Sequence, residues 1–165
     1  MPRPGVARRL PVRPMRAADA PAMARIEQAL FAREAWPRSV FAYLHAVFAA
    51  ARPARGRLWV AEASGGGVVG YVGVELSALG GEADLVNLAV DPAHRRRGVG
   101  RALMATAVGY CRTRRVELVW LRVRAGNRGA RAFYRRCGFE VVGRFRGYYA
   151  DPREDAVLMG VSFES

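Results

Sequence analysis

The chain has 165 residues, of which 52% are hydrophobic and 25% charged, with a formal net charge of +13. This length and composition are typical of one soluble globular domain. Apolar stretches are short or interrupted by arginine, which argues against a transmembrane helix, and the basic start lacks the apolar segment of a secretory signal. All 27 basic residues are arginine, so the charge reflects composition bias as much as binding of a polyanion, and it disfavours polycationic substrates.

The beginning of the chain predicts a leader, a strand and a helix. We expect residues 1–10 to be a disordered basic leader and Val12–Ala17 to be a strand. Asp19 is expected to cap the first helix, with Pro21 in its first turn. Apolar residues at helical spacing give that helix one buried face: Met23, Ile26, Leu30 and Phe31.

A second amphipathic helix is predicted between Pro37 and Pro53. Its apolar residues share one face: Val40, Phe41, Leu44, Val47 and Phe48. His45 lies on this helix without an identifiable partner. We therefore interpret His45 as a solvent-facing or core-edge side chain rather than a catalytic group.

The middle of the chain predicts three strands in an antiparallel arrangement. Leu58–Ala63 and Val68–Leu76 are joined by a glycine-rich turn, which is typical of a hairpin. A second glycine turn leads into a strand over residues 83–90, which is apolar near its end apart from Asn87.

The remaining pattern completes one mixed α/β domain over residues 11–165. Three further strands and a short helix are predicted: strands Leu118–Val123, Phe139–Phe145 and Ala156–Val161, and helix Asn127–Cys137. Asn127 is a favoured N-cap residue, and Gly138 fits the position just after the helix. Cys111 and Cys137 form no CxxC pair or metal-like cluster, so we expect buried free thiols, no metal and a reducing cytoplasm.

The most informative stretch joins a buried strand to a helix through a basic turn. The strand ends at Asp91-Pro92, because proline cannot donate to a ladder, and strong helix formers follow the turn. The turn itself is made of Arg95, Arg96, Arg97, Gly98, Val99, Gly100 and Arg101. A helix start presents unpaired N–H groups, glycine lets a ligand approach the backbone, and arginine adds charge, so a phosphate or pyrophosphate fits here. A basic surface turn is the alternative interpretation.

The order of parts is more specific than the glycines. A Walker loop needs lysine, which this chain lacks, and a dinucleotide fingerprint places its glycines directly after the strand. The pattern Leu-Ala-Val-x-Pro followed by Arg-x-x-Gly-x-Gly resembles motif A of the GNAT superfamily of acyl-CoA-dependent N-acetyltransferases. The resemblance implies a mixed, bent sheet of about six to seven strands flanked by about four helices. It implies acetyl-CoA as acyl donor, paired with the backbone of Leu88, Ala89 and Val90 and held at its pyrophosphate by the basic turn.

A second motif, from Asn127 through Ala130 and Tyr134 to Gly138-Phe139, resembles the downstream GNAT motif. The spacing by itself fits a core aromatic at Tyr134 equally well. The resemblance implies that Asn127 contacts the cofactor and that Tyr134 is the general acid for the leaving thiolate. With a phenol pKa near 10 against a thiol near 8.5, Tyr134 would act more as a positioning donor than as a strong acid.

The segment from Tyr148-Tyr149 to Met159 resembles the ending of protein N-terminal acetyltransferases within that superfamily. It implies that Tyr148 and Tyr149 bind the backbone of an acceptor protein, such as a ribosomal protein, whereas a surface hairpin is the plain alternative. The resemblance covers about residues 83–160. The N-terminal half matches only by helix order, by Ile26-Glu27-Gln28 and by Trp36.

One departure concerns the general base. Where those enzymes have Leu-Glu-Val-Arg, with the glutamate as base, this chain has Arg122, which cannot accept a proton. An α-amine has a pKa about 2.5 units below that of lysine, which amounts to about 3.4 kcal/mol, so it needs much less help from a base. We therefore predict a protein or peptide α-amine as acceptor, with proton removal through water or through another carboxylate, for which Glu75 and Asp84 are the candidates. Arg122 is assigned to substrate binding and could recruit an acidic acceptor.

Three other functions remain open at this point. Arg122 makes a catalytically weak acyl-CoA-binding module credible, and a small-molecule amine could replace the protein acceptor. The net charge suggests a nucleic-acid-binding domain, but no such motif is present and no predicted exposed strand interleaves aromatic residues with arginine. No membrane partner is predicted.

Overall fold

The computed structural model describes residues 10–51 and 53–163. In these residues, seven strands form one sheet in the order β1-β2-β3-β4-β5-β7-β6, with four α-helices packed on it. The strands are β1 (Val12–Pro14), β2 (Gly56–Glu62), β3 (Val68–Leu76), β4 (Glu82–Val90), β5 (Leu118–Arg124), β6 (Glu140–Ala150) and β7 (Arg153–Ser162), and the helices are α1 (Ala20–Phe31), α2 (Arg38–Ala50), α3 (Val99–Thr113) and α4 (Arg128–Arg136). The predicted mixed α/β architecture is confirmed.

The sheet opens in its middle, between β4 and β5. These two strands are parallel and pair from Glu82↔Leu118 to Asp84↔Trp120, whereas every other neighbouring pair in the described sheet is antiparallel. Beyond Asp84 the ladder between β4 and β5 ends, although β4 continues to Val90 beside β3. The pairing of β3 with β4 shifts register between Gly73 and Val74. A bulge of this kind bends the strand that carries the extra residue.

Each face of the sheet carries its own apolar core. On the face covered by α3, here called the α3 face, Leu103, Leu121 and Met159 are at most 2% exposed. On the face covered by α1 and α2, here called the α1 face, Met23 and Phe41 are fully buried. Burial of apolar side chains holds helices against both faces of the sheet. The opening between β4 and β5 therefore has α3 on one face and α1 and α2 on the other. Within residues 10–51 and 53–163, no helix is long and apolar enough to cross a bilayer.

The first strand and the first helix differ from the prediction. β1 ends at Pro14 rather than Ala17, because the chain turns into a short 3₁₀ helix over Ala17–Asp19. The Asp19 side chain does not cap α1; its carboxylate accepts a hydrogen bond from the Arg16 N–H at 2.7 Å and pairs with Arg13 at 2.8 Å. The Asp19 carboxylate is therefore bound by Arg13 and by the Arg16 N–H and does not cap the helix as predicted.

The last hairpin and one cysteine also differ. The predicted strand Phe139–Phe145 continues to Ala150, so the two tyrosines lie on β6 itself. Cys111 is buried as expected, but Cys137 is only half-buried at the end of α4. Of the predicted leader, only Leu10 lies within the described residues, and it packs against the α3-face core.

Candidate active site

The edge of β4 beyond the last β5 pair presents unshared backbone groups. Leu88, Ala89 and Val90 pair with β3 on one side. On the other side, the Leu88 N–H donates to the Asn87 side-chain oxygen at 3.0 Å instead of to a strand. An extended ligand can therefore pair with this edge as an added strand would. The pairing of these three residues with acetyl-CoA, which the family resemblance implies, stays a prediction.

The basic turn forms an open cradle at the start of α3. Gly98 is the N-cap and has a φ of 79°, in the left-handed region, and a Cβ added there would meet no atom within 4 Å. The side chains of Arg95, Arg96 and Arg97 are exposed around it. Free first-turn N–H groups, glycine and three guanidiniums together suit a pyrophosphate, so the residues present fit the predicted donor.

Three further residues of the cradle have distinct environments. The Val99 side chain is 2% exposed, so only its backbone is available to a ligand. A Cβ at Gly100 would come within 3.3 Å of the Phe133 ring, so glycine here lets α4 pack against the start of α3. Arg101 is exposed on the first turn of α3 and lies near Cys137.

The short helix α4 brings Tyr134 next to the cradle. The Asn127 side chain accepts a hydrogen bond from the Ala130 N–H at 3.1 Å and so caps α4 as predicted. Tyr134 is 8% exposed and packs between Phe133 and Phe139. Burial raises the pKa of Tyr134, with smaller contributions from Cys137 and Tyr149, so its hydroxyl stays protonated and able to donate.

On the α1 face, a buried carboxylate lies beside the opening between β4 and β5. The prediction did not include this group. Glu27 on α1 is 2% exposed and accepts hydrogen bonds from the Tyr71 hydroxyl, from the Asn87 side-chain amide at 3.0 Å and from the Trp36 N–H at 3.4 Å. Burial raises the pKa of Glu27 to about 7, while the Trp36 and Asn87 hydrogen bonds oppose the rise. A carboxylate with this pKa can accept and release protons at neutral pH.

Two signals in the sequence could have identified this group. Glu27 lies four residues after Met23 and three before Leu30, so it falls on the predicted apolar stripe of α1. Asn87 is the polar residue in an otherwise apolar run of β4. A buried charge needs hydrogen-bonding partners, so a glutamate on a buried helix face and an asparagine in a buried strand could have been matched as partners.

The hairpin of β6 and β7 is tied to the segment between α1 and α2 by Arg124. The Arg124 guanidinium pairs with Glu34 and with Glu154, the latter at 3.1 Å, and lies over the Tyr149 ring at 4.3 Å. Tyr149 is half-buried in this contact, whereas Tyr148 is 53% exposed. Tyr148 therefore presents an exposed ring beside the half-buried ring of Tyr149 at this end of the hairpin.

The structure pairs Arg122 with one of the candidate bases. The Arg122 guanidinium lies 3.4 Å from the Asp84 carboxylate, and Glu75 is the β3 neighbour of Asp84. Asp84 is therefore already engaged by a guanidinium, which leaves Glu27 as the better candidate for the base.

Comparison with known proteins identifies the family to which this geometry belongs. A model of the acetyltransferase (GNAT) family matches residues 20–139. The chain belongs to the GNAT acetyltransferase family. It is 36% identical over 151 residues to N-alpha-acetyltransferase RimI of Mycobacterium tuberculosis, a match that covers 86% of this chain and 85% of that protein.

Two further GNAT relatives are similar over different lengths. The [ribosomal protein bS18]-alanine N-acetyltransferase of Escherichia coli K12 is 44% identical over 82 residues, which are 48% of this chain. That match spans 55% of the length of the curated relative. The crystal structure of the ribosomal-protein-S18-alanine N-acetyltransferase from Escherichia coli superposes with a TM-score of 0.79 at 30% identity, covering 94% of each chain.

Proposed function

We propose that this GNAT protein transfers the acetyl group of acetyl-CoA to the N-terminal α-amine of a protein. The observation that carries the proposal is the opening between β4 and β5, with the arginine-glycine cradle at the start of α3. The names of the Mycobacterium tuberculosis and Escherichia coli relatives support an α-amine acceptor, a ribosomal protein among the possibilities. The free thiols Cys111 and Cys137 are consistent with a cytoplasmic location.

The donor side is built from the α3 face of the opening. The backbone of Leu88–Val90 pairs with the pantetheine arm, and the cradle from Arg95 to Arg101 holds the pyrophosphate, with Asn127 as a further contact at the start of α4. Acetyl-CoA supplies an activated acetyl group as its thioester. Tyr134 donates its proton toward the sulfur as the carbon–sulfur bond breaks, and its raised pKa keeps that proton in place until then.

The acceptor side is built from the α1 face. Tyr148 and Tyr149 contact the backbone of the incoming chain, and the neutral amine nitrogen forms the new bond to the acetyl carbon. We assign the proton that the amine loses to Glu27, through one bridging water, because Glu27 is 2% exposed and its pKa of about 7 matches the task. Glu27 then releases its proton to solvent, and solvent returns a proton to Tyr134.

The test is an acetylation assay on a library of peptides that differ in their first residues and contain internal lysines. We expect mass spectrometry to place the acetyl group on the α-amine, because its lower pKa leaves far more of it neutral than a lysine side chain. Acetylation of lysines or of small amines only would overturn the proposal. Binding of acetyl-CoA without any turnover would instead favour an acyl-CoA-binding module.

The same assay tests Tyr134. We expect Tyr134→Phe to lower kcat by roughly a hundredfold with little change in acetyl-CoA affinity, because the hydroxyl acts on the departing sulfur. Tyr43→Phe, at a tyrosine that is 66% exposed on α2, is the matched control and should leave both quantities unchanged. An unchanged kcat in Tyr134→Phe would remove the acid role.

A further inference from the structure

Arg122 lies at the mouth of the opening on the α1 face. Its neighbours Leu121 and Val123 are 2% and 6% exposed in the α3-face core, so strand alternation turns Arg122 to the opposite face. It lies two residues beyond Trp120, the last residue of β5 that pairs with β4. The guanidinium is therefore placed where an acceptor amine would approach the thioester.

Arg122 uses little of its hydrogen-bonding capacity within the protein. Its side chain is 40% exposed, and its contact with Asp84, itself 44% exposed, is 3.4 Å long. A guanidinium carries five N–H donors, and a long, solvated contact with one carboxylate leaves most of them available. A second carboxylate, Glu75, lies beside Asp84 on the next strand and partly offsets the charge.

Neighbouring arginines on β5 and β6 are held in ion pairs within the protein. Arg124 pairs with Glu34 and Glu154 and also donates to the carbonyls of Asp151 and Pro152. Arg144 pairs with Asp155 at 2.8 Å. Arg122 differs from both because its one ion pair is longer, at 3.4 Å, and joins two partly exposed side chains, so most of its N–H donors remain available to a ligand.

An exposed aromatic ring lies beside Arg122. The Arg122 guanidinium carbon lies 5.7 Å from the centre of the Phe145 ring, and Phe145 is 42% exposed. A planar guanidinium can give two N–H donors to one carboxylate. Tyr148 contacts Phe145, so Arg122 lies close to the tyrosines that are proposed to contact the acceptor chain.

From this geometry we infer that Arg122 selects acceptors with an aspartate or glutamate in their first two residues and disfavours those with arginine or lysine there. The inference rests on the proposed function and names its substrate class. The carboxylate accepts two hydrogen bonds from Arg122, while the guanidinium repels a second cation and favours the neutral form of the amine. An acidic N-terminus also suits a chain with a net charge of +13.

The test compares peptides that are identical except for aspartate, asparagine or arginine at position one or two. We expect kcat/KM of the wild-type protein to be roughly tenfold higher for the aspartate peptide than for the arginine peptide, mainly through KM. Arg122→Gln should abolish this ratio and Arg122→Glu should invert it. The ratio is the readout because a glutamate at position 122 could also act as a base and change the rate with every peptide.

The matched control is Arg25→Glu, which changes the net charge by the same amount at an exposed position of α1. It should leave the preference intact, which separates local recognition from the charge of the whole protein. Equal rates for the three peptides, or a preference that survives Arg122→Glu, would overturn the inference while the proposed function stands. If no peptide is acetylated although acetyl-CoA binds, the proposed function fails and the inference fails with it.

Discussion

Glu27 is a glutamate whose burial raises its pKa well above the ordinary value. It is a charged side chain at 2% exposure, and its hydrogen-bond partners Tyr71 and Asn87 lie 44 and 60 positions away in the chain. Burial without an arginine or lysine partner favours the neutral carboxyl, whereas three donors aimed at its oxygens favour the ion. The balance leaves a group that titrates near neutral pH.

The raised pKa of Glu27 predicts a pH dependence of stability. Because its pKa is about 7 in the folded protein against an ordinary 4.5, the folded state holds the proton more tightly between these values. The stabilisation is present at low pH and is lost as the pH rises through 7. The free energy of unfolding should fall by up to about 3 kcal/mol between pH 5 and pH 8, as measured by urea denaturation.

Glu27→Gln keeps the shape of the side chain and removes the titration. Its free energy of unfolding should therefore change much less between pH 5 and pH 8 than that of the wild type. Its kcat/KM should also lose the rise near pH 7 that deprotonation of Glu27 gives the wild type. A variant with the wild-type dependence of stability on pH would show that another group titrates.

At the scale of the element, the strand-turn-helix unit of β4 and α3 is the proposed site for the donor. β4 stops pairing with β5 at Asp84 but continues to Val90, and the chain then reaches α3 through Arg96 and Gly98, both with positive φ. The start of α3 therefore follows the exposed end of β4 after one short turn. A ligand that bridges the two must carry its anionic part at one end, as acetyl-CoA does.

Gly98 offers a test with a matched control. Gly98 and Gly80 have φ values of 79° and 78°, and a Cβ at either would meet no atom within 4 Å. Alanine at each should cost a similar ~1 kcal/mol of stability, because both positions are left-handed. Only Gly98→Ala should weaken acetyl-CoA binding, by roughly tenfold in calorimetry, because its Cβ enters the cradle. Equal affinities in the two variants would contradict the cradle.

At the scale of the whole molecule, binding of acetyl-CoA depends either on the total charge of the protein or on the arginines of the cradle. The net charge of +13 is spread along the chain, but the cradle concentrates three arginines at one helix start. Long-range attraction between exposed charges is screened within about 8 Å at physiological salt. A donor should therefore be held by its immediate neighbours rather than by the protein as a whole.

Two charge reversals distinguish these cases. Saturating acetyl-CoA should stabilise the wild type by about 2.7 kcal/mol at a concentration one hundred times its Kd. Arg97→Glu should remove most of this stabilisation in a thermal shift assay, whereas Arg25→Glu, with the same change of net charge, should retain it. Similar losses in both variants would mean that total charge drives binding.

The sequence determined the parts of this protein that depend on neighbours along the chain. Proline after β4, arginine and glycine in the turn, and strong helix formers in α3 specify one strand-turn-helix unit through local propensity, so its place and its likeness to GNAT motif A could be predicted. The cap at Asn127 is equally local. The predicted roles of Tyr134, Tyr148 and Tyr149 came from resemblance and remain predictions.

Only the tertiary structure decided what faces the opening. Strand pairing over long separations set where β4 leaves β5, brought Arg122 to Asp84 across 38 positions and buried Glu27 against Asn87 across 60. The burial, and with it the pKa, of such a group depends on atoms contributed by distant segments, which no local pattern encodes. For that reason the sequence predicted the arginine-glycine turn, whereas the burial of Glu27 and its raised pKa followed only from the folded chain.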